Sequence, residues 1–258
     1  IGTLQLLLTW LFIRWLLSIG AIRLIKFPLL DKWFIALVTV FSFICTDESS
    51  NNNSVGMYHV SKLLCIPYMV ALEFLNKRVS RSFKELVFLG MVVGGALVLF
   101  LVDLEVNLIG SAYAVLSIFL TSHSQLIAMT CQNEFNLSGP EFQSTIVLEM
   151  FFISLISSFW TECFGDSSVF HNPITPEGIL VVVASCIFFV GSNTATYGLM
   201  AKTSAITCQV IGYMRTLILI IVSLVLFPSD AGPIIPTVIG MVISFVGVFG
   251  YTVLTLTA

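Results

Sequence analysis

Long apolar stretches recur along almost the whole chain and are separated by short polar segments. A helix needs roughly 20 apolar residues to cross the hydrocarbon layer of a membrane, so these stretches predict transmembrane helices. The pattern therefore predicts an all-α, polytopic membrane protein built as a helical bundle. Its nine predicted spans are approximately 3–25, 33–46, 54–75, 86–102, 106–129, 143–164, 178–200, 204–227 and 235–256.

Composition points the same way and excludes several classes of protein. Hydrophobic residue types make up 57% of the chain and charged types 10%, with a mean hydropathy of +1.03. A soluble domain carries about 25% charged residues because its surface must stay wet. The shortage of charge excludes a soluble enzyme, and the net charge of −3 offers no basic surface to nucleic acid.

The positive charges in the predicted loops orient the helices. All eight of these loop charges fall on one side of the membrane, at Arg23, Lys26, Lys32, Lys77, Arg78, Arg81, Lys84 and Lys202. Loop lysines and arginines mark the cytoplasmic side of a membrane protein. The segments 23–33, 76–85, 130–142 and 201–203 are therefore predicted to be cytoplasmic, together with the C-terminus. This orientation also leads us to expect one further helix ahead of the first span.

Three positive charges remain inside predicted spans, at Arg14, Lys62 and Arg215. A charge at the bilayer centre costs about 2.5–3.5 kcal/mol on insertion scales, so such residues usually face a partner or a cavity. Helix rise places Lys62 and Arg215 at similar depths, roughly 12 and 13 Å below the outer surface, on spans that run in opposite directions. They would repel one another unless an anion joined them, which predicts a phosphate-binding substrate site. A structural ion pair is the alternative for these two residues. Arg14 either has a structural role, in an ion pair or a cation–π contact with a nearby tryptophan, or supports the substrate site through a neighbouring residue.

Further polar residues extend the candidate site. Tyr58 lies one turn before the lysine on the same helix face, and Ser204 and Thr207 precede the arginine along its span. Asn193 lies in an unusually polar stretch, where it either bonds to a neighbouring helix or contacts ligand. The histidines and cysteines do not follow a metal-ligand spacing, so the sequence predicts no metal site and no cofactor.

A faint internal repeat relates two of the segments that carry these residues. Residues 54–60 line up with residues 204–210 at an offset of 150, with serine and valine identical. The two segments enter the membrane from opposite sides. That arrangement is the signature of inverted-topology repeats, which bind substrate near the midplane of many transporters.

Two long motifs carry the most specific signal. Residues 53–62 read Asn-Ser-Val-Gly-Met-Tyr-His-Val-Ser-Lys, and residues 202–216 read Lys-Thr-Ser-Ala-Ile-Thr-Cys-Gln-Val-Ile-Gly-Tyr-Met-Arg-Thr. Both resemble motifs of the nucleotide-sugar and triose-phosphate translocator family, within the drug/metabolite transporter superfamily. Arg215 stands where the family usually has lysine, and Asp47 stands where it usually has asparagine. The resemblance extends over essentially the whole chain.

The resemblance implies two inverted repeats of five helices, of which this chain would hold nine spans because the first helix is missing. Residues 1–129 would form the first, incomplete half. Residues 130–258 would form the second half, beginning with the connecting loop 130–142, within a single transporter domain. The resemblance also implies a secondary carrier, an antiporter that exchanges a nucleotide-sugar for a nucleotide monophosphate across a Golgi or endoplasmic reticulum membrane.

Other functions stay open on the sequence alone. A sugar-phosphate or triose-phosphate translocator is the alternative among carriers, and a channel or structural membrane protein is the alternative from a different class. An enzyme is not expected, because the three histidines are scattered and neither GxSxG nor HExxH occurs. The predicted partners are a phosphate-bearing small molecule and the lipid bilayer, with a homodimer left open and nucleic acid excluded.

Overall fold

The computed structural model describes residues 2–23, 25, 27–53, 55–77, 82–100, 107–164, 176–226 and 234–257. Within these ranges the chain forms nine helices and no strand, which confirms the all-helical prediction. The helices are α1 (Gly2–Ser18), α2 (Leu29–Asn52), α3 (Val55–Lys77), α4 (Phe83–Phe100), α5 (Leu108–Glu134), α6 (Gly139–Phe164), α7 (Pro176–Met200), α8 (Ala205–Leu226) and α9 (Ile234–Thr257).

Several of these helices have the length and apolar character of membrane spans. Four segments of the described chain are clear candidates: Leu29–Asn52, Leu108–Glu134, Gly139–Phe159 and Gly178–Met200. Their apolar side chains point outward as well as inward; on α7, Leu180 is 72% exposed and Phe188 is 77% exposed. Lipid solvates such side chains, whereas water would not. The chain is therefore a multi-pass membrane protein.

The helix α2 is longer than the hydrophobic pattern predicts, because it continues beyond residue 46 through the polar run to Asn52. The Asn52 side-chain amide donates to the Glu48 backbone carbonyl at 2.8 Å, and the Asn53 amide donates to Ser49 Oγ at 3.1 Å. These polar side chains thus bond to the preceding helical turn. The apolar stretch ends before the helix does, which is why the predicted boundary was too early.

The helix α1 ends at Ser18, earlier than the predicted residue 25. Gly20 adopts a φ of 73°, the left-handed conformation that terminates many helices and that glycine adopts without strain. The Ala21 N–H donates back to the Leu16 carbonyl at 3.0 Å, which closes the last turn. The apolar residues beyond Gly20 therefore lie outside the helix.

The connection between α5 and α6 is also shorter than the predicted loop 130–142. The helix α5 continues to Glu134 and α6 begins at Gly139, which leaves residues 135–138 as the connection. The backbone N–H and the hydroxyl of Ser138 both donate to Glu141 Oε2, at 2.9 and 2.7 Å. Contacts between a capping serine and a glutamate three residues on are typical of helix N-termini. Polar residues thus cap these helices within the segment that low hydrophobicity marked as a loop.

The helices form two compact units, each of which contains helices from both predicted halves of the chain. The first unit comprises Ile1–Phe41 and Ile127–Lys202, and in it α1, α6 and α7 pack against one another. The second comprises Ser42–Leu126 and Thr203–Ala258. There α3 packs against α4 and α8, and α9 packs against α4 and α8, which closes a ring of four helices.

Polar bonds between helices support the first unit. Thr3 on α1 is hydrogen-bonded through Oγ1 to Ser158 Oγ on α6 at 2.7 Å. The Gln5 side-chain amide, also on α1, donates to Ser185 Oγ on α7 at 2.9 Å. Because lipid offers no partners to such groups, hydrogen bonds of this kind contribute to helix association in a membrane.

Small residues allow α4 and α9 to approach closely in the second unit. A Cβ added to Gly95 would lie 2.5 Å from Ser244 Oγ and 2.8 Å from the Gly240 carbonyl oxygen. A Cβ added to Gly247 would lie 2.8 Å from the Val92 backbone nitrogen. Glycine at these positions brings the two backbones together, the usual way in which membrane helices pack tightly.

Candidate functional site

The two predicted phosphate ligands lie in the same unit. Lys62 is on α3 and Arg215 is on α8, and these helices pack against one another. Both side chains are exposed, whereas Leu63 beside the lysine and Leu217 two positions after the arginine are buried. The cations are therefore held on two packed helices without being enclosed between them.

An acidic residue accompanies Lys62. The carboxylate of Asp47, near the end of α2 in the same unit, interacts electrostatically with the lysine ammonium group. Opposite charges attract, so the carboxylate offsets part of the positive charge of the lysine. Sequence reasoning did not assign Asp47 to the site, although its replacement of the usual asparagine of the resembled family was the available signal. The lysine thus has a counter-charge of its own in addition to any bound anion.

The structure gives Ser204 and Thr207 a clear local role at the start of α8. Ser204 Oγ accepts a hydrogen bond from the Thr207 backbone N–H at 3.2 Å and lies 2.9 Å from Thr207 Oγ1. Thr207 is buried, and its Oγ1 lies 3.5 Å from the Tyr251 hydroxyl of α9. These contacts cap the helix and tie it to α9. Contact of either residue with substrate stays a prediction.

The other two predicted ligands are less closely defined. Asn193 is half-buried on α7, in the first unit. Tyr58 belongs to α3, but its side chain lies outside the described residues. Of the predicted ligands, the described part of the chain brings four into the second unit: Lys62, Arg215, Ser204 and Thr207.

The third intramembrane cation stacks on a tryptophan. The Arg14 guanidinium carbon lies 5.9 Å from the ring centroid of Trp10, one turn earlier on α1. A guanidinium at this distance from an indole face is attracted by the ring electrons. The structure thus supports the structural interpretation of Arg14.

A polar bond that the sequence did not reveal links α5 to α8. The Gln209 side-chain amide donates to Gln125 Oε1 at 2.9 Å. Gln209 belongs to the second long motif, so its position there was the available signal. The bond fixes one face of the helix that carries Arg215.

In the described part of the chain, no group of three or more histidine, cysteine or acidic side chains could hold a metal ion.

Comparison with known proteins identifies transporters as relatives. The chain is 30% identical over 205 residues to the UDP-xylose transporter 1 of Arabidopsis thaliana, which covers 74% of this chain and 58% of that protein. It is 27% identical over 228 residues to the UDP-rhamnose/UDP-galactose transporter 2 of the same plant, which covers 87% of this chain and 64% of that protein. The chain therefore spans less than two thirds of the length of these relatives. No protein-family model matches it.

Proposed function

The chain is a relative of the nucleotide-sugar transporters of the drug/metabolite transporter superfamily, and on that premise we propose that the protein carries a nucleotide-sugar across a membrane. The relatives compared are transporters and not enzymes, in agreement with the expectation from the sequence. These relatives are named as transporters of UDP-sugars, which favours a nucleotide-sugar over a triose phosphate here.

In this proposal Lys62 and Arg215 hold the phosphates of the substrate. The observation that carries it is the packing of α3 against α8, which puts both cations on adjoining helices of one unit. An arginine can grip a phosphate with two parallel hydrogen bonds, whereas a lysine acts as a single point charge. A diphosphate linkage offers oxygen atoms to both groups. Tyr58, which precedes Lys62 by one helical turn in the sequence, would orient the remainder of the ligand.

The same charges favour exchange over one-way release. Bringing two cations together in a membrane is costly, and a bound anion offsets their repulsion and part of their desolvation. Asp47 supplies one negative charge beside Lys62, whereas a diphosphate supplies two and can meet both cations. With the diphosphate bound, both cations contact an anion and their mutual repulsion is offset, so the loaded carrier should change conformation more readily. A nucleotide monophosphate also carries a phosphate, so it can offset the repulsion between the same two cations when the carrier returns.

We propose an inverted repeat in which α3 is the counterpart of α8 and α4 is the counterpart of α9. The contacts within the second unit support it: exchanging α3 with α8 and α4 with α9 leaves the ring of helix contacts unchanged. Two halves that interleave in this way would share the substrate site between equivalent helices. We further propose that the protein lies in a Golgi or endoplasmic reticulum membrane. The positive loop charges favour a cytoplasmic C-terminus.

Transport in liposomes tests the proposal. Vesicles containing the purified protein are loaded with UMP and offered labelled UDP-, GDP- and CMP-sugars or triose phosphates. We expect saturable uptake of a nucleotide-sugar that depends on the internal nucleotide. Uptake that does not depend on internal nucleotide would contradict exchange. A preference for triose phosphate would contradict the assignment of substrate.

A further inference from the structure

A polar cavity of about 580 Å³ lies in the first unit, where α5 ends, α6 begins and α7 ends. The polar side chains that line it include Gln132, Asn133, Asn136 and Lys202. Pockets of about 300–1,000 Å³ are typical of small-molecule sites. The residues predicted to bind the transported substrate do not line this cavity.

The walls of the cavity are held by backbone contacts. The beginning of α6 approaches the end of α7 so closely that a Cβ on Gly139 would lie 2.5 Å from Gly198 Cα. The connecting turn is fixed by a hydrogen bond of 2.9 Å from the Leu137 N–H to the Gln132 carbonyl. Asn136 completes the turn with a φ of 50°, a conformation that asparagine tolerates. The cavity is therefore formed before any ligand enters.

Gln132 is the residue that points to a ligand. Its side chain is only 2% exposed, and its Nε2 donates to the Tyr197 carbonyl at 3.1 Å. Its Oε1 is buried without a hydrogen-bond partner in the structure. A buried acceptor without a donor costs stability and is uncommon in folded proteins. A hydroxyl group on a bound molecule would supply the missing donor.

The other residues that line the cavity indicate which further chemical groups the ligand carries. Lys202 is exposed at the cavity and offers a positive charge, which an anionic phosphate would meet. The exposed amides of Asn133 and Asn136 can both donate and accept hydrogen bonds. The described lining includes no aromatic side chain on which a nucleotide base could stack. We propose that this cavity binds a phosphorylated polyol, with Lys202 on the phosphate and Gln132 accepting from a hydroxyl.

Two sources can provide this chemistry. The cavity lies at helix ends, the level at which lipid headgroups meet water, and basic pockets there bind phosphoinositide headgroups in other membrane proteins. A soluble inositol phosphate or sugar phosphate presents the same groups. A lipid source is consistent with the predicted cytoplasmic position of residues 130–142 and 201–203, because phosphoinositides face the cytoplasm.

Binding measurements on the purified protein test this site and separate the two sources. One arm titrates inositol 1-phosphate into the protein in detergent. The other compares nanodiscs of phosphatidylcholine with and without phosphatidylinositol 4-phosphate by native mass spectrometry. Lys202→Ala and Gln132→Met should each weaken binding about tenfold or more. Lys202→Arg should retain most binding, and Lys84→Ala, which removes an exposed positive charge from α4, should have no effect.

The outcomes are distinct. Binding of inositol 1-phosphate that the Lys202→Ala variant loses supports a soluble ligand, and binding in the lipid arm alone supports a headgroup. Gln132→Met should leave the melting temperature without ligand unchanged or higher, because the Tyr197 carbonyl still accepts from the Ala201 N–H at 3.0 Å. Absence of binding in both arms, or equal binding by Lys202→Ala and Lys84→Ala, would overturn the proposal. Should Gln132→Met fail to fold, the three lysine variants decide alone.

Discussion

Asp47 near the end of α2 places a carboxylate within electrostatic range of the Lys62 ammonium group on α3. The acid replaces a residue that is neutral in the family the motifs resemble, so this chain adds a negative charge beside a proposed phosphate ligand. An internal carboxylate and a substrate phosphate then compete for the same cation. Substitution of Asp47 should therefore change the affinity of the site for substrate.

Removal of this competing charge should strengthen substrate binding. We expect Asp47→Asn to lower the KM for nucleotide-sugar exchange by up to about fivefold, since an exposed ion pair contributes at most about 1 kcal/mol. The matched control is Glu48→Gln, which removes an adjacent acid whose side chain contacts Asn52 instead. An Asp47→Asn variant with a higher KM than Glu48→Gln would show that Asp47 assists substrate binding.

Substitution of Ser204, which caps α8, can distinguish a structural role of this residue from contact with the ligand. Ser204→Ala removes the acceptor for the Thr207 N–H and should lower the free energy of unfolding by about 1 kcal/mol. Ser204→Asn should restore most of that loss, because asparagine also caps helices well. Thermal melting in detergent measures both effects. If the KM for substrate rises in Ser204→Ala while the melting temperature stays constant, the residue binds ligand and the cap is unimportant.

Close packing of α4 against α9 predicts opposite results for two adjacent glycines. Gly95→Ala places a Cβ against Ser244 and should destabilise the protein by about 1–3 kcal/mol. Gly94→Ala meets no atom within 4 Å and should be neutral or slightly stabilising, since alanine favours helices. Melting temperatures of the two variants test this directly. Equal melting temperatures would mean that the two helices do not approach as closely as described.

The predicted orientation can be tested with two cysteine reporters. In a cysteine-free variant within sealed Golgi or endoplasmic reticulum vesicles, Ser82→Cys should react with an impermeant maleimide from the cytoplasmic side. Leu108→Cys, at the start of α5 where the side chain is 85% exposed, should react only after permeabilisation. The reverse pattern would contradict the orientation inferred from the loop charges.

Hydrophobic periodicity was sufficient to predict the helices but not where they end. The ends depend on single polar contacts, such as Asn52 with Glu48 and Ser138 with Glu141, which hydrophobicity does not encode. The position of Gly20 was visible in the sequence, but its left-handed backbone was not. Boundaries were therefore wrong at these places, while the number and type of the elements agree with the prediction within the described residues.

The candidate site was predictable only in part, for a similar reason. The two cations stand out because charge is rare within membrane spans, so their sequence positions were enough to select Lys62 and Arg215. The bond between Gln209 and Gln125 depends on packing between helices that are distant in sequence. The interaction of Asp47 with Lys62 depends on how the polar end of α2 lies relative to α3, which hydrophobicity does not encode. The division of the chain into two units that mix both halves is likewise a result of packing.

Exchange activity after substitution of Lys62 or Arg215 shows whether these two residues hold the phosphates of the substrate. The measurement compares nucleotide-sugar exchange into UMP-loaded liposomes by the unaltered protein, Lys62→Ala, Arg215→Ala, Arg215→Lys and the control Arg14→Ala. We expect Lys62→Ala and Arg215→Ala each to lower exchange about a hundredfold or more with normal membrane insertion, because a lost charge partner of phosphate costs several kcal/mol. Arg215→Lys should keep partial activity, since the charge survives without the two-pronged grip, and Arg14→Ala should stay active. Normal exchange rates and affinity in Lys62→Ala would contradict the account and place the phosphate site elsewhere.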